Sequence, residues 1–388
     1  MPQRSTYLFV TTLTSLVYSC LCSSIDPWPS VSWLSSNGDG DDGDVSPQYK
    51  MVMGTDYSSL NCRIKHYSRP ALGPHQAAGN SSGVGGIGSG SDRGGDCDGG
   101  TVNPFRNFNA YVNSFIFPSW FCSYLIDGYG PDAAHYLLCY LRNLLSGMAI
   151  YYCTAGLFHY RNYVVDSGNV FGEGRRKRPS WDTIKDQIWL SQRSIFMYVA
   201  LPVLSDWLIE EGYTLCYWSS SEVGGSLPYL LLTILYFCLV EIGIYWMHRT
   251  LHENKWLFRN VHGRHHAYNT PETLTPWCSI AFNPFDGILQ ASPYVLFLFV
   301  VPCHYLTHVV MLFGTAIWAT YIHDAMDGDV EPVMSNKYHT VHHTHYVYNY
   351  GQVFIFCDWY WGTLMRPKEK TGTTGKYAFI HGKGGKDD

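Results

Sequence analysis

The sequence predicts an all-α integral membrane protein with about four or five membrane-embedded helical segments and a cytosolic, histidine-rich di-metal domain. Three observations predict it: sparse charge with a heavy aromatic load, a series of apolar runs in mid-chain, and three regularly spaced histidine groups. Of 388 residues, 46% are apolar and only 15% charged, against about 25% charged in an average soluble domain. Thirty Tyr and 13 Trp suit a chain working at a membrane–water interface. A net charge of −5 with no long basic block excludes nucleic acid as partner.

Residues 1–24 hold Arg4, an apolar run from Tyr7 to Cys22, then Ser23 and Ser24. This is the outline of a secretory signal peptide or signal anchor. From 25 to 132 the chain is rich in Gly and Asp, with nine glycines between Gly83 and Gly100. Such composition cannot bury enough apolar surface to offset its ordering entropy, so the segment is expected to be mostly disordered. Its aromatic later part, Asn103 to Trp120, is expected to lie against the membrane. The twelve cysteines form no CxxC pair, and Cys139, Cys153 and Cys238 lie in apolar stretches as packing residues. The GxGxxG match at Gly83 to Gly88 has no strand before it or helix after it, so it is read as chance.

Residues 133–247 are expected to carry the transmembrane helices: Ala133–Phe158, Ile188–Ile209 and Pro228–Met247. Each approaches the roughly 20 apolar residues that a span needs. An apolar hairpin, 288–322, follows within the region 248–367, and 368–388 reads as a flexible tail. Arg161, Arg175, Arg176, Lys177, Arg178 and Lys185 lie in the loop after the first span, whereas Glu210–Leu227 has no Lys or Arg. By the positive-inside tendency the former loop is cytosolic and the latter lumenal. The third span then delivers His248 to the cytosol, and the hairpin returns the chain to that side before His323. Asn80-Ser-Ser82 would be a lumenal glycosylation acceptor.

Twelve of seventeen histidines fall between His248 and His345. His248-Arg-Thr-Leu-His252 places two imidazoles on one helical face. His262-Gly-Arg-His265-His266 and His339-Thr-Val-His342-His343 each offer ligands at i, i+3 and i+4. Eight imidazoles exceed the three or four ligands of a zinc site, so two metals are expected, although imidazole alone does not choose between iron, zinc and copper. No HExxH is present, which removes the zinc-protease reading. Glu241, inside the third span, is expected to face the bundle interior as an outer partner of a ligand histidine or in plain pairing.

The order HxxxH, HxxHH, apolar hairpin, HxxHH resembles the fatty acid hydroxylase and sterol desaturase superfamily of membrane di-iron enzymes. Asn283-Pro-Phe-Asp-Gly-Ile-Leu-Gln290, Ile322-His323-Asp324 and Asn349-Tyr350-Gly351 are similar to plant-type delta-7-sterol C5(6)-desaturases, and the resemblance covers roughly 133–367. It implies two iron ions per chain, held by His248, His252, His262, His265, His266, His339, His342 and His343, with His323 as a ninth ligand. Where the family carries a further histidine this chain has Asp327, itself a sound iron ligand. Asn283 also replaces a family histidine. The resemblance further implies a multi-pass protein of the endoplasmic reticulum membrane that takes a sterol and O2. Electrons would come from cytochrome b5 and its NADH-dependent reductase, with Arg249, Lys255, Arg259 and Arg264 as docking charges or as ordinary membrane-proximal basic residues. Trp277, Phe282, Trp318 and Tyr321 are expected substrate walls. A sterol C4-methyl oxidase or lipid hydroxylase on the same scaffold is the alternative reaction. An inactive metal-containing sterol-binding protein is the alternative class.

Overall fold

A computed structural model describes residues 103–171, 176–324 and 330–367. The expectations for residues 1–24, the glycine-rich run, Asn80, Asp327 and 368–388 therefore lie outside the described residues. The chain divides into two compact units, 39–134 and the remainder. No strand occurs among the described residues; isolated backbone bridges join Tyr217 to His304 and Val333 to Phe354.

In the smaller unit, α1 (Pro104–Ile116) and α2 (Ser119–Tyr129) correct the expectation that disorder extends to residue 132. Local chemistry accounts for both helices. Asn103 caps α1 by accepting from the amides of Phe105 and Arg106, and Pro104 occupies the first helical position, where its missing N–H costs nothing. Pro118 then forces Phe117 out of the helical region and ends the helix. Phe115, Trp120 and Tyr124 stay exposed.

The larger unit is a helical bundle. Its long elements are α3 (Pro131–His159), α4 (Trp181–Tyr198), α5 (Ala200–Glu210), α6 (Ser226–Glu253), α7 (Pro284–Leu296) and α8 (Tyr305–His323), followed by the short α9 (Asn336–His345) and α10 (Phe356–Tyr360). Two of these, α6 and α8, are long and apolar enough to cross a membrane. The expected span Ile188–Ile209 is instead two helices broken at Val199. Pro202, three residues into α5, has no N–H for the carbonyl four residues back, which favours the interruption there. The expected run Ile288–Pro302 is helical only to Leu296, then turns at Phe297–Phe299 and extends to His304.

The polarity of α6 is that of a helix in lipid. Leu227, Leu230, Leu231, Ile234 and Leu235 face outward, whereas Tyr229, Thr233, Tyr236, Glu241, Tyr245 and His248 are buried. Hydrocarbon solvent tolerates aliphatic surface and drives polar groups toward one another inside the bundle. There His308 bridges Ser205 (2.8 Å) and Tyr236 (2.9 Å), while Arg142 pairs with Asp206 (2.9 Å), which also accepts from Tyr305 (3.0 Å). Gly243 lets α6 approach α7: a Cβ there would lie 2.8 Å from Pro293. At the opposite end from His248, the loop before α6 pairs with the chain before α8, through Leu215 N–H to Leu298 (2.8 Å) and Tyr217 N–H to Cys303 (3.1 Å).

Candidate metal centre

Five structural units converge on one buried focus. His248 and His252 come from the last turns of α6, and His262 closes a π-turn, Phe258–His262. His265 and His266 lie on the 3-10 turn His265–Ala267, His323 ends α8, and His339, His342 and His343 line α9. The turns between α6 and His262 follow from the sequence. Asn254 ends α6 and caps the next turn by accepting from Trp256 (3.0 Å) and Leu257 (3.1 Å). Gly263 leaves room for the Phe258 carbonyl, which a Cβ would meet at 2.8 Å.

The structure sorts all nine predicted histidines into two adjacent groups. The first holds His248, His252, His262, His266 and His342; the second holds His265, His323, His339 and His343. Each i, i+4 pair (248/252, 262/266 and 339/343) stays within one group. The i+3 residues, His265 and His342, serve the other group, because three residues of helical turn point about 100° away from the direction reached by four. The groups abut, with the rings of His266 and His343 stacked at 4.5 Å.

Ring nitrogens meet at short range within each group. His262 Nε2 lies 2.9 Å from His252 Nε2 and 3.0 Å from His266 Nε2. His323 Nε2 lies 2.9 Å from His265 Nε2 and 3.0 Å from His339 Nε2. The opposite nitrogens fix the tautomers. Nδ1–H of His262 donates to Asp286 (2.7 Å), that of His248 to the Tyr350 carbonyl (3.0 Å), that of His342 to the Tyr348 carbonyl (2.7 Å), and that of His323 to the Ala319 carbonyl (2.6 Å). Their Nε2 lone pairs therefore point inward. Nε2 of His248 and of His342, and both ring nitrogens of His343, are buried without a hydrogen-bond partner.

A cation fits this donor set. Burial, reinforced by neighbouring imidazoles, holds His265, His266, His339 and His343 well below the usual histidine range, and burial takes His342 down to about 3. They are neutral, as metal ligands must be. Nitrogens about 2.1 Å from a metal stand ~3.0 Å apart when adjacent bonds meet at right angles and ~3.4 Å apart in a tetrahedron. The closest ring nitrogens, 2.9–3.0 Å apart, are within the range of nitrogens that share one metal.

Other expectations fare differently. Glu241 does not hydrogen-bond to any of the nine histidines. One carboxylate oxygen accepts from Val353 N–H (3.0 Å) and Phe354 N–H (3.2 Å), and the other has no hydrogen-bond partner. Its place seven residues before His248 puts it about 10 Å away along the helix axis. Asn283 is the cap of α7, accepting from Phe285 N–H (3.0 Å). Of the expected substrate walls, Phe282 lies edge-on to His265 (5.9 Å). Trp277 packs on Tyr151 and Tyr152, and Trp318 pairs with Tyr321, as a separate cluster. Arg249 is paired to Glu253 and Arg264 to Asp186, whereas Lys255 and Arg259 are exposed.

Sequence reasoning missed Asp286, although it lies inside a run that carried the resemblance, and it missed Asp324. Asp324 follows His323 and is buried, accepting from Asn162 (2.7 Å), Tyr163 (2.9 Å) and Arg176 (3.3 Å), so it anchors the end of α8. A cleft of about 410 Å³ opens beside the first group, lined by His252, Phe258, His266, Tyr346, Val347 and Tyr350 among others.

Residues 233–363 match the family model described as fatty acid hydroxylase. A Delta(7)-sterol-C5(6)-desaturase from Nicotiana tabacum is 39% identical over 267 residues, which cover 67% of this chain and 97% of that protein. An Arabidopsis thaliana protein provisionally designated a second such desaturase is 40% identical over 266 residues, or 69% of this chain and 91% of its own. Lathosterol oxidase of Rattus norvegicus is 29% identical over 220 residues, 54% of this chain and 71% of that one. No solved structure matches. The chain belongs to the fatty acid hydroxylase family, within its group of sterol C5(6)-desaturases.

Proposed function

We propose that this chain is a sterol C5-desaturase of the endoplasmic reticulum membrane, an oxidoreductase whose nine histidines hold two iron ions at the cytosolic face. The observation that carries the reading is the sorting of those histidines into two abutting groups, in a chain about 40% identical to plant sterol desaturases. Residues 133–247 anchor the chain in the bilayer, and 248–367 carry the metal centre. When bound, two irons supply the oxidising power from O2 that breaking an unactivated C–H bond demands.

In the net reaction a delta-7 sterol loses one hydrogen each from C5 and C6 and gains the C5–C6 double bond. Two further electrons and two protons enter, and O2 leaves as two waters. The chain's own residues hold and shield. Asp286 and the carbonyls of Tyr348, Tyr350 and Ala319 keep four imidazoles in one tautomer, and Phe282 packs edge-on against His265. A sterol reaches the centre from the bilayer, alongside α6 and α8. Exposed Lys255 and Arg259 support docking of an acidic electron donor, here cytochrome b5 served by its NADH-dependent reductase. Asp327 serves as a further iron ligand in this reading.

Turnover on membranes carrying the protein, with a delta-7 sterol, NADH and cytochrome b5, tests the proposal by mass spectrometry. A delta-5,7 diene that disappears in His265→Ala is the expected result. A product heavier by one oxygen would replace desaturation with hydroxylation, and iron-loaded protein that converts no delta-7 sterol would sink the substrate assignment.

A further inference from the structure

The hydrogen bonds that orient the first histidine group lead outward to a second buried carboxylate. His248 Nδ1–H donates to the Tyr350 carbonyl oxygen at 3.0 Å. The N–H of the same peptide group belongs to Gly351, and it donates to Asp358 Oδ2 at 2.8 Å. Asp358 Oδ1 accepts from Tyr350 N–H (2.8 Å) and from the Thr363 hydroxyl (2.7 Å). The Tyr245 hydroxyl lies 2.8 Å from that of Thr363. Asp358 is fully buried. A Cβ on Gly351 would collide with the Phe354 carbonyl and stand 3.0 Å from Asp358 Oδ2, so only glycine allows this amide to rest against the carboxylate.

We propose that Asp358 is a positioning residue for the metal centre, acting on His248 through the Tyr350–Gly351 peptide group. The proposal rests on the reading of the histidines as metal ligands. An anionic acceptor on a peptide N–H makes a strong, charge-assisted bond. It polarises the carbonyl of the same group, because hydrogen bonds in series reinforce one another at low dielectric. A stronger acceptor at Nδ1–H both fixes the ring and makes its Nε2 a better donor to a metal. His262 receives the same treatment directly, from Asp286 at 2.7 Å. Two rings of the first group thus end on buried carboxylates, one in direct contact and one relayed through a peptide.

The test uses full-length protein in detergent, loaded with iron(II), with iron per chain and the rate of its release to ferrozine as readouts. Wild type is expected to hold two irons. His252→Ala identifies the iron of the first group, since His252 belongs to that group alone. Asp358→Asn is expected to release that same iron about ten-fold faster and to leave the other unchanged, while Asp358→Glu, which restores the charge, recovers most of the difference. Unaltered release in Asp358→Asn, or equal acceleration of both irons, would overturn the relay. Should neither variant fold, wild type decides: iron loading is expected to slow hydrogen exchange at the Gly351 amide, and unchanged exchange overturns the proposal. Wild type that binds no iron would overturn the metal reading as well, whereas two irons with an unresponsive Asp358→Asn removes only the relay.

Discussion

His262 stands between partners of opposite kinds, an anion at Nδ1 and the ring nitrogens of His252 and His266 at Nε2. With Nδ1–H held by Asp286, the His262 Nε2 lone pair faces the other two rings, and Asp286 strengthens it as a donor to a cation bound among them. Asp286→Asn keeps the shape and an acceptor but removes the charge. It is expected to weaken iron binding at the first group by 10–100-fold, as loss of an outer-sphere partner does, read as iron per chain under chelator competition. Unchanged affinity would show that Asp286 merely fills space. Eight of the histidines were legible from their regular spacing, and His323 only through the family resemblance. Asp286 and Asp358 were not, because each reaches its histidine only after folding. Asp286 is 24 residues from His262, and the Tyr350 carbonyl through which Asp358 acts is 102 residues from His248.

At the scale of elements, periodicity and hydropathy located α3, α6 and α8 within a few residues. They failed where local backbone chemistry outweighed apolar character: the interruption at Val199 ahead of Pro202, the capped start of α1, and the unwinding after Leu296. Arg142, which weakened the first candidate span in the sequence, proves to be part of the packing between α3 and α5. Its pair with Asp206 leaves each side chain under a tenth exposed (9% and 8%). Arg142→Met would strand the carboxylate without its cationic partner, and breaking a buried pair on one side costs about 3–5 kcal/mol. Thermal unfolding in detergent should show that loss, and Arg142→Met/Asp206→Leu should recover most of it. If the double variant is no better than the single one, the pair is not what joins these helices.

Over the whole bundle, the metal groups and the backbone bridges mark opposite ends. α6 and α8 both run from the bridged end, where Tyr217 pairs with Cys303 and Tyr305, to the end that carries His248, His252 and His323. A helix of 28 residues, the length of α6, spans about 42 Å, enough to hold those ends on opposite faces of a bilayer. The basic residues Arg161, Lys177 and Arg178 precede α4 and Lys185 lies near its start, whereas the loop between α5 and α6 carries no Lys or Arg. That charge bias supports the proposed placement of the histidine end in the cytosol, the side on which the proposed electron donors would meet it. An epitope inserted between Gly224 and Gly225 and a second one after Asp388 report the two sides. In sealed microsomes, protease is expected to remove the C-terminal epitope and spare the loop until detergent opens the vesicles. Removal of both without detergent, or of the loop epitope alone, would place the metal end elsewhere and would leave cytosolic cytochrome b5 unable to reach it.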